Sequence, residues 1–166
     1  TLSGLPQAVQ EAQEALKGGD PDRAAQALGG LVFNPWVRGD AAVEAPWARA
    51  RAQSLLAQAQ QARGSGAYAQ AVSLLERCHQ ELEPYWGYLD GPLQERLEAE
   101  KQASRAWLEL SLGEYRTAVQ LLEEAARVAP EALAWQSDLE FVRQVEAGAR
   151  WLHQGAYREA AQSLEG

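Results

Sequence analysis

Apolar residues recur along this chain in a stripe with helical spacing, and the stripe occurs four times. Counted back from Gly19, Gly66, Gly113 and Gly155, the apolar positions fall fourteen, ten, seven and three residues earlier. The first stripe is Leu5, Val9, Ala12 and Leu16. The second is Ala52, Leu56, Ala59 and Arg63, with the arginine as its one polar member. The third is Ala99, Ala103, Ala106 and Leu110, and the fourth is Phe141, Val145, Gly148 and Leu152. Steps of three and four residues place each set on one face of a helix. Each stripe therefore predicts a helix that stops near its glycine.

The residues after each glycine repeat as well. Pro21, Tyr68, Tyr115 and Tyr157 stand two later, Ala24, Ala71, Ala118 and Ala160 five later, and Leu28, Leu75, Leu122 and Leu164 nine later. A glycine at a helix end takes the left-handed conformation that lets the chain reverse. The small residue seven before it, Ala12, Ala59, Ala106 or Gly148, lies two turns back on the face that meets the returning helix. Small side chains on both partners let the helices cross closely, and the Leu fills the space beyond. The Tyr opens the second helix with an apolar ring and a polar tip. Each unit reads as a helical hairpin that cannot bury its own apolar face and must stack on a neighbour.

A walk along the chain gives eight helices. The first starts at Ser3 or Gly4 and runs to about Leu16. Asp20 caps the second, with Pro21 in its first turn, and it ends near Gly29-Gly30. Residues 31–46 are the least regular stretch, and Pro46 is expected to open the third helix, which runs to about Arg63. The fourth spans about Ala67 to Leu82 and stops before Pro84. An aromatic link follows, Asp90 caps the fifth helix, and that helix reaches about Leu112. The sixth runs from Glu114 to Val128. The seventh starts near Glu131 and reaches Gln154 with a bend at Gly148, and the eighth begins at Ala156. The expectation is one all-α domain over residues 1–166, an α-solenoid of four antiparallel hairpins at about 4–31, 46–83, 91–129 and 131–166.

These residues are where the chain resembles the tetratricopeptide repeat family. Two copies extend the match: Leu75 is followed by Cys78 and Pro84, and Leu122 by Ala125 and Pro130. The resemblance covers nearly the whole chain and implies a superhelix that binds proteins. The chain departs from the family in period, with glycine spacings of 47, 47 and 42 residues against about 34 in the family. Its first-helix stripe is also turned relative to the family's. In the family's register, the position six before the turn glycine faces the binding groove. Here that position is Gln13, Gln60, Trp107 or Ala149. Gln53, Arg63 and Glu100 look into the same groove. The family also binds acidic C-terminal peptides of heat-shock chaperones through Lys and Asn on first helices. The one Asn here, Asn34, lies in a link, so that clamp is missing.

Composition narrows the picture. The 166 residues contain no Ile and no Met, and the only Thr are Thr1 and Thr117. Strong helix formers dominate, which disfavours a sheet. Net charge is −8 with a pI near 4.8, whereas a nucleic-acid surface wants a basic stripe. No apolar run reaches the roughly 18 residues of a membrane span. The chain begins with Thr1 and stops soon after its eighth helix begins, so it reads as a piece of a longer protein. The cellular address stays open, with a lean to the cytoplasm.

Candidate chemistry is sparse. His79 and His153 are the only histidines, and Cys78-His79 are adjacent, so both cannot sit on one helical face. Cys78 reads as a buried, inert thiol and His79 as solvated. No metal and no cofactor is expected, and no phosphate-binding loop occurs. The six Trp divide between the links, where Trp36, Trp47 and Trp86 read as packing anchors, and the later first helices, which carry Trp107, Trp135 and Trp151. The expected function is a non-catalytic scaffold that holds a peptide or partner protein along the first helices, at Gln13, Gln53, Gln60, Arg63, Glu100 and Trp107. Alternatives are a self-assembly module, associating through the open C-terminal hairpin, and a small-molecule sensor whose turned stripe lines a pocket.

Overall fold

The computed structural model describes residues 5–130 and 133–165. These residues form eight α-helices and one short 3-10 helix, with no strand among them. The helices are α1 (Leu5–Lys17), α2 (Pro21–Val32), α3 (Ala41–Gly64), α4 (Tyr68–Leu82), α5 (Gly91–Ser111), α6 (Tyr115–Val128), α7 (Leu133–His153) and α8 (Tyr157–Glu165). The 3-10 helix, Glu83–Tyr88, sits between α4 and α5. The protein is all-α, as its composition predicts. The expected helix starts at Ser3 or Gly4 and at Glu131 lie outside the described residues.

Four turns of one design join α1 to α2, α3 to α4, α5 to α6 and α7 to α8, each three residues long. The middle residue is the repeat glycine, with φ of 75° at Gly19, 80° at Gly66, 84° at Gly113 and 71° at Gly155. The next residue donates its N–H to the carbonyl five positions back: Asp20 to Ala15 O, Ala67 to Ala62 O, Glu114 to Glu109 O and Ala156 to Trp151 O, at 2.8–2.9 Å. Each glycine donates to the carbonyl three before it, Leu16, Arg63, Leu110 or Leu152, at 3.0–3.2 Å. This paired pattern satisfies carbonyls that a helix end leaves open, and its left-handed position costs any residue with a Cβ. The sequence repeat is thus a repeat of helix stops.

The small residues do what their spacing implies. Ala12, Ala59 and Ala106 are wholly buried, as are their partners Ala24, Ala71 and Ala118. Leu28, Leu75 and Leu122 lie at 0–2% exposure beside them. Gly148 is buried too, and a Cβ built there would meet Leu164 Cγ at 3.2 Å. Helix α7 runs unbroken through Gly148, so the glycine provides clearance for α8 rather than an end to the helix. Consecutive helices pack on each other along the whole chain. In addition α1 packs on α3 and α3 on α5. The buried apolar residues fall into two groups that meet within α5: Leu93 and Leu97 belong to the first, Ala99, Ala103 and Ala106 to the second.

The links differ from the sequence reading in two places. Helix α3 begins at Ala41, not at Pro46, which sits inside it. Asp40 caps the helix through Ala42 N at 2.9 Å, and Val43, Glu44 and Trp47 are buried in its first turns. A proline removes one backbone donor near a helix start, a loss that this cap and burial offset. Trp36 does not anchor its link: it is 88% exposed. Trp47 does, at 5% exposure, flanked by Phe33 and Tyr85. The second link is fastened by polar bonds as well. Tyr88 donates its hydroxyl to Glu44 Oε2 at 3.2 Å, Arg49 Nε donates to Tyr88 O at 3.3 Å, and Gln94 Nε2 donates to Trp86 O and Leu89 O. Desolvation, then the bond to Glu44, raises the Tyr88 pKa above that of a free phenol.

If helix approach depends on the missing side-chain volume, Ala106→Leu should destabilise the protein by about 1–3 kcal/mol. The same change at the exposed Ala69 should move stability by less than about 0.5 kcal/mol. Urea unfolding followed by circular dichroism reads both. Equal effects would dismiss the close-packing account.

Candidate functional site

The predicted site residues separate into two groups. Gln13, on α1, and Gln53 and Gln60, on α3, are exposed and carry no fixed role in the packing. Arg63, Glu100 and Trp107 are brought together, but as an internal network between helices. Arg63 Nε lies 2.6 Å from Glu100 Oε1, so the base of α3 is tied to the middle of α5. Arg63 Nη1 lies 3.7 Å from Asp138 Oδ2 on α7. Trp107 donates its indole N–H to the same Asp138 oxygen at 3.2 Å. Ser104 Oγ stands 3.5 Å from Glu100 Oε1.

Glu100 does not look into an open groove: it is 1% exposed. The reason lies in the stripe. Arg63 takes an apolar position, three before its turn glycine, so its charge enters the helix interface and needs a counter-ion there. Glu100 supplies it from the next first helix. A buried ion pair is poor at adding net stability but costly to break, because the survivor is stranded. Glu100 Oε2 has no hydrogen-bond partner among the described residues, so the pair is only half satisfied.

An aromatic stack runs beside the ion pair. Tyr68, which opens α4, stacks on Trp107 with centroids 5.9 Å apart and rings 19° from parallel. Trp107 stacks in turn on Phe141 of α7, at 5.9 Å and 21°. The three rings cross α4, α5 and α7, and the ladder ends in the open, since Phe141 is 49% exposed. Phe141 stands on the apolar stripe, so its exposure departs from the expectation of burial. The sequence reading missed Tyr68, Asp138 and Phe141 as members of one cluster. One signal was present: an arginine inside an apolar stripe calls for an acid on a neighbouring helix.

Other stripe members are used up by packing. Ala52, Ala59, Ala99, Ala103 and Ala106 are wholly buried and leave no lining for a ligand pocket. Cys78 is 1% exposed. Burial pushes its thiol from 9.0 up to about 11, with Glu81 adding to the rise and Arg51 and Arg77 opposing it. His79 is exposed and rests against Trp86, centroids 4.4 Å apart. Among the described residues no three His, Cys, Asp or Glu side chains converge as a metal cluster would. No helix among them is long and apolar enough to cross a membrane. Compared with family models, curated proteins and solved structures, the chain matches none.

Two tests follow from this geometry. Arg63→Met should destabilise by about 3–5 kcal/mol, because it strands a buried carboxylate. Glu100→Leu should cost less, because Arg63 keeps Asp138. The double variant should recover most of the Arg63→Met loss. Additive losses in a thermodynamic cycle would show that the two residues are not coupled. The Cys78 thiol should resist iodoacetamide at pH 8 in the folded protein and react at once in guanidinium. A raised thiol pKa stabilises the fold fully below pH 9.0, and that share of stability is lost as pH climbs towards about 11. Rapid native labelling at pH 8 would refute burial of this thiol.

Proposed function

We propose that this chain is a tetratricopeptide-like stack of helical hairpins, and that it serves as a non-catalytic scaffold for a peptide or partner protein. The observation that carries this reading is an asymmetry of packing. The first three first helices touch in sequence, α1 with α3 and α3 with α5, while no comparable contact joins α5 to α7, α2 to α4 or α4 to α6. Helix pairs that crowd on one side and splay on the other form a curved stack, with the crowded helices on the inner face. The first helices are that inner face, and an extended segment would lie along it. Its exposed polar contacts are Gln13, Gln53 and Gln60. Its apolar end is the ring ladder that finishes at Phe141. Arg63, Glu100 and Trp107 fix the spacing of the helices beneath, so they act as support rather than as direct contacts.

The test must therefore avoid the support residues. Peptides selected from a displayed random library should bind a variant carrying Gln53→Ala, Gln60→Ala and Phe141→Ser about tenfold more weakly, the scale of one hot-spot loss. The variant's melting temperature should stay within a few degrees of the parent's. Selected peptides that bind the variant undiminished would overturn the inner-face assignment.

Self-assembly is a second reading, favoured by a specific patch. Phe141, Trp151, Leu152 and Leu164 of the last pair are 39–56% exposed, and exposed apolar residues gathered in one region mark association sites. Sedimentation velocity over a hundredfold concentration range separates the two readings. A single monomeric species throughout would end the second.

A further inference from the structure

The splayed side of the stack carries a pocket that the first-helix face does not share. It opens between α2 and α4, is floored by α3, and has a volume of about 490 Å³. Three rings shape it. Phe33 stands at 79° to Trp47 with centroids 5.8 Å apart, and Tyr85 stands at 74° to Trp47 with centroids 5.1 Å apart. Trp47 is nearly closed off, whereas Phe33 is 74% exposed and Tyr85 is half-buried. The result is a trough with an aromatic floor and two aromatic walls.

The charges around the trough are unequal. Arg51 is neutralised by Glu81 at 2.9 Å. Asp22, in the first turn of α2, accepts hydrogen bonds only from neutral groups among the described residues, Ser54 Oγ and Gln58 Nε2. Glu81 is shared with Arg77 at 3.2 Å, so it adds no free negative charge, and Asp22 is the one carboxylate on the lining without an ion pair among the described residues. Ser54 is 1% exposed and holds the carboxylate in place from below. Rings at right angles beside a fixed, uncompensated carboxylate suit a planar organic cation. Such a cation stacks on one ring and hydrogen-bonds the acid.

We propose that this pocket receives an arginine side chain from a partner segment. The guanidinium lies against Phe33 or Tyr85 and donates to Asp22. Arginine fits better than a compact ammonium because the lining offers both a flat apolar wall and a carboxylate acceptor, and only a guanidinium uses both at once. Arg51, held by Glu81, bars a second cation and fixes the polarity of the slot. The site shares no residue with Gln13, Gln53, Gln60 or the ring ladder, so it stands or falls separately from the inner-face reading.

The test uses capped Gly-Arg-Gly, its citrulline analogue and its trimethyllysine analogue, each titrated into the 15N-labelled chain. The arginine peptide should give saturable shifts at the amides of Asp22, Phe33, Arg51 and Tyr85. Citrulline, which keeps the shape and drops the charge, should bind at least about tenfold more weakly, one step of about 1.4 kcal/mol. Asp22→Asn keeps an acceptor for Ser54 and should remove the difference between arginine and citrulline. Phe33→Ala changes an exposed ring and should weaken arginine without lowering the melting temperature. Four outcomes each overturn the proposal. They are no saturable shift with arginine, citrulline binding equal to arginine, shifts confined to residues outside the pocket, and trimethyllysine binding more tightly than arginine.

Discussion

The closeness of helix to helix at Ala and Gly is the constraint on which the rest of the structure depends. Two helices that meet through Ala59 and Ala71, or Ala106 and Ala118, have almost no side-chain volume between them at that point. Their approach is then limited by backbone, and the leucine nine after each turn glycine fills what space remains. Such an interface has one register, since any sliding brings a larger side chain into the gap. The repeat glycine sets the same register from the other end, because the left-handed turn fixes where the second helix begins.

Helix contacts made mainly by alanine are thin in apolar area, and larger side chains make up the difference where the spacing is irregular. The long spacing between turn glycines is taken up by the links and by α3, α5 and α7. Trp47, flanked by Phe33 and Tyr85, fills part of the space left by the first link and the 3-10 helix, and the rest stays open as the trough. Tyr68, Trp107 and Phe141 bridge α4, α5 and α7, where no backbone contact comparable to that of α3 with α5 occurs. The Arg63–Glu100–Asp138 network belongs to the same region. It joins three helices by charge at the level where apolar packing is least continuous. A buried pair of this kind adds little net stability but is costly to break from one side.

These features make the two sides of the packing unlike. Helices α1 and α3 present the exposed Gln13, Gln53 and Gln60. On the splayed side, the gap between α2 and α4 leaves aromatic walls and an unneutralised carboxylate in view. Both lie where the packing is uneven: α1 touches α3 and α3 touches α5, while α2 to α4 and α4 to α6 show no comparable contact.

The sequence alone determined the helices, the four turns and the positions of closest approach. Those depend on local rules: a glycine must take the left-handed corner, a cap must accept from the first turn, and an alanine seven residues back must face its partner. Asp20 and Asp90 cap as their spacing implies, at 3.0 and 2.9 Å. The start of α3 escaped because Pro46 outweighed Asp40 in a reading by residue type, while burial of Val43 and Trp47 decided the matter in three dimensions. The tertiary structure alone decided the fates of the polar candidates. Glu100, Gln53 and Gln60 are all polar residues on first helices, yet Glu100 is buried against Arg63 and the two glutamines face water. That difference depends on which neighbour lies opposite, thirty or more residues away in the chain. No local pattern records it, because a charge is admitted to an interface only when a partner on another helix meets it there.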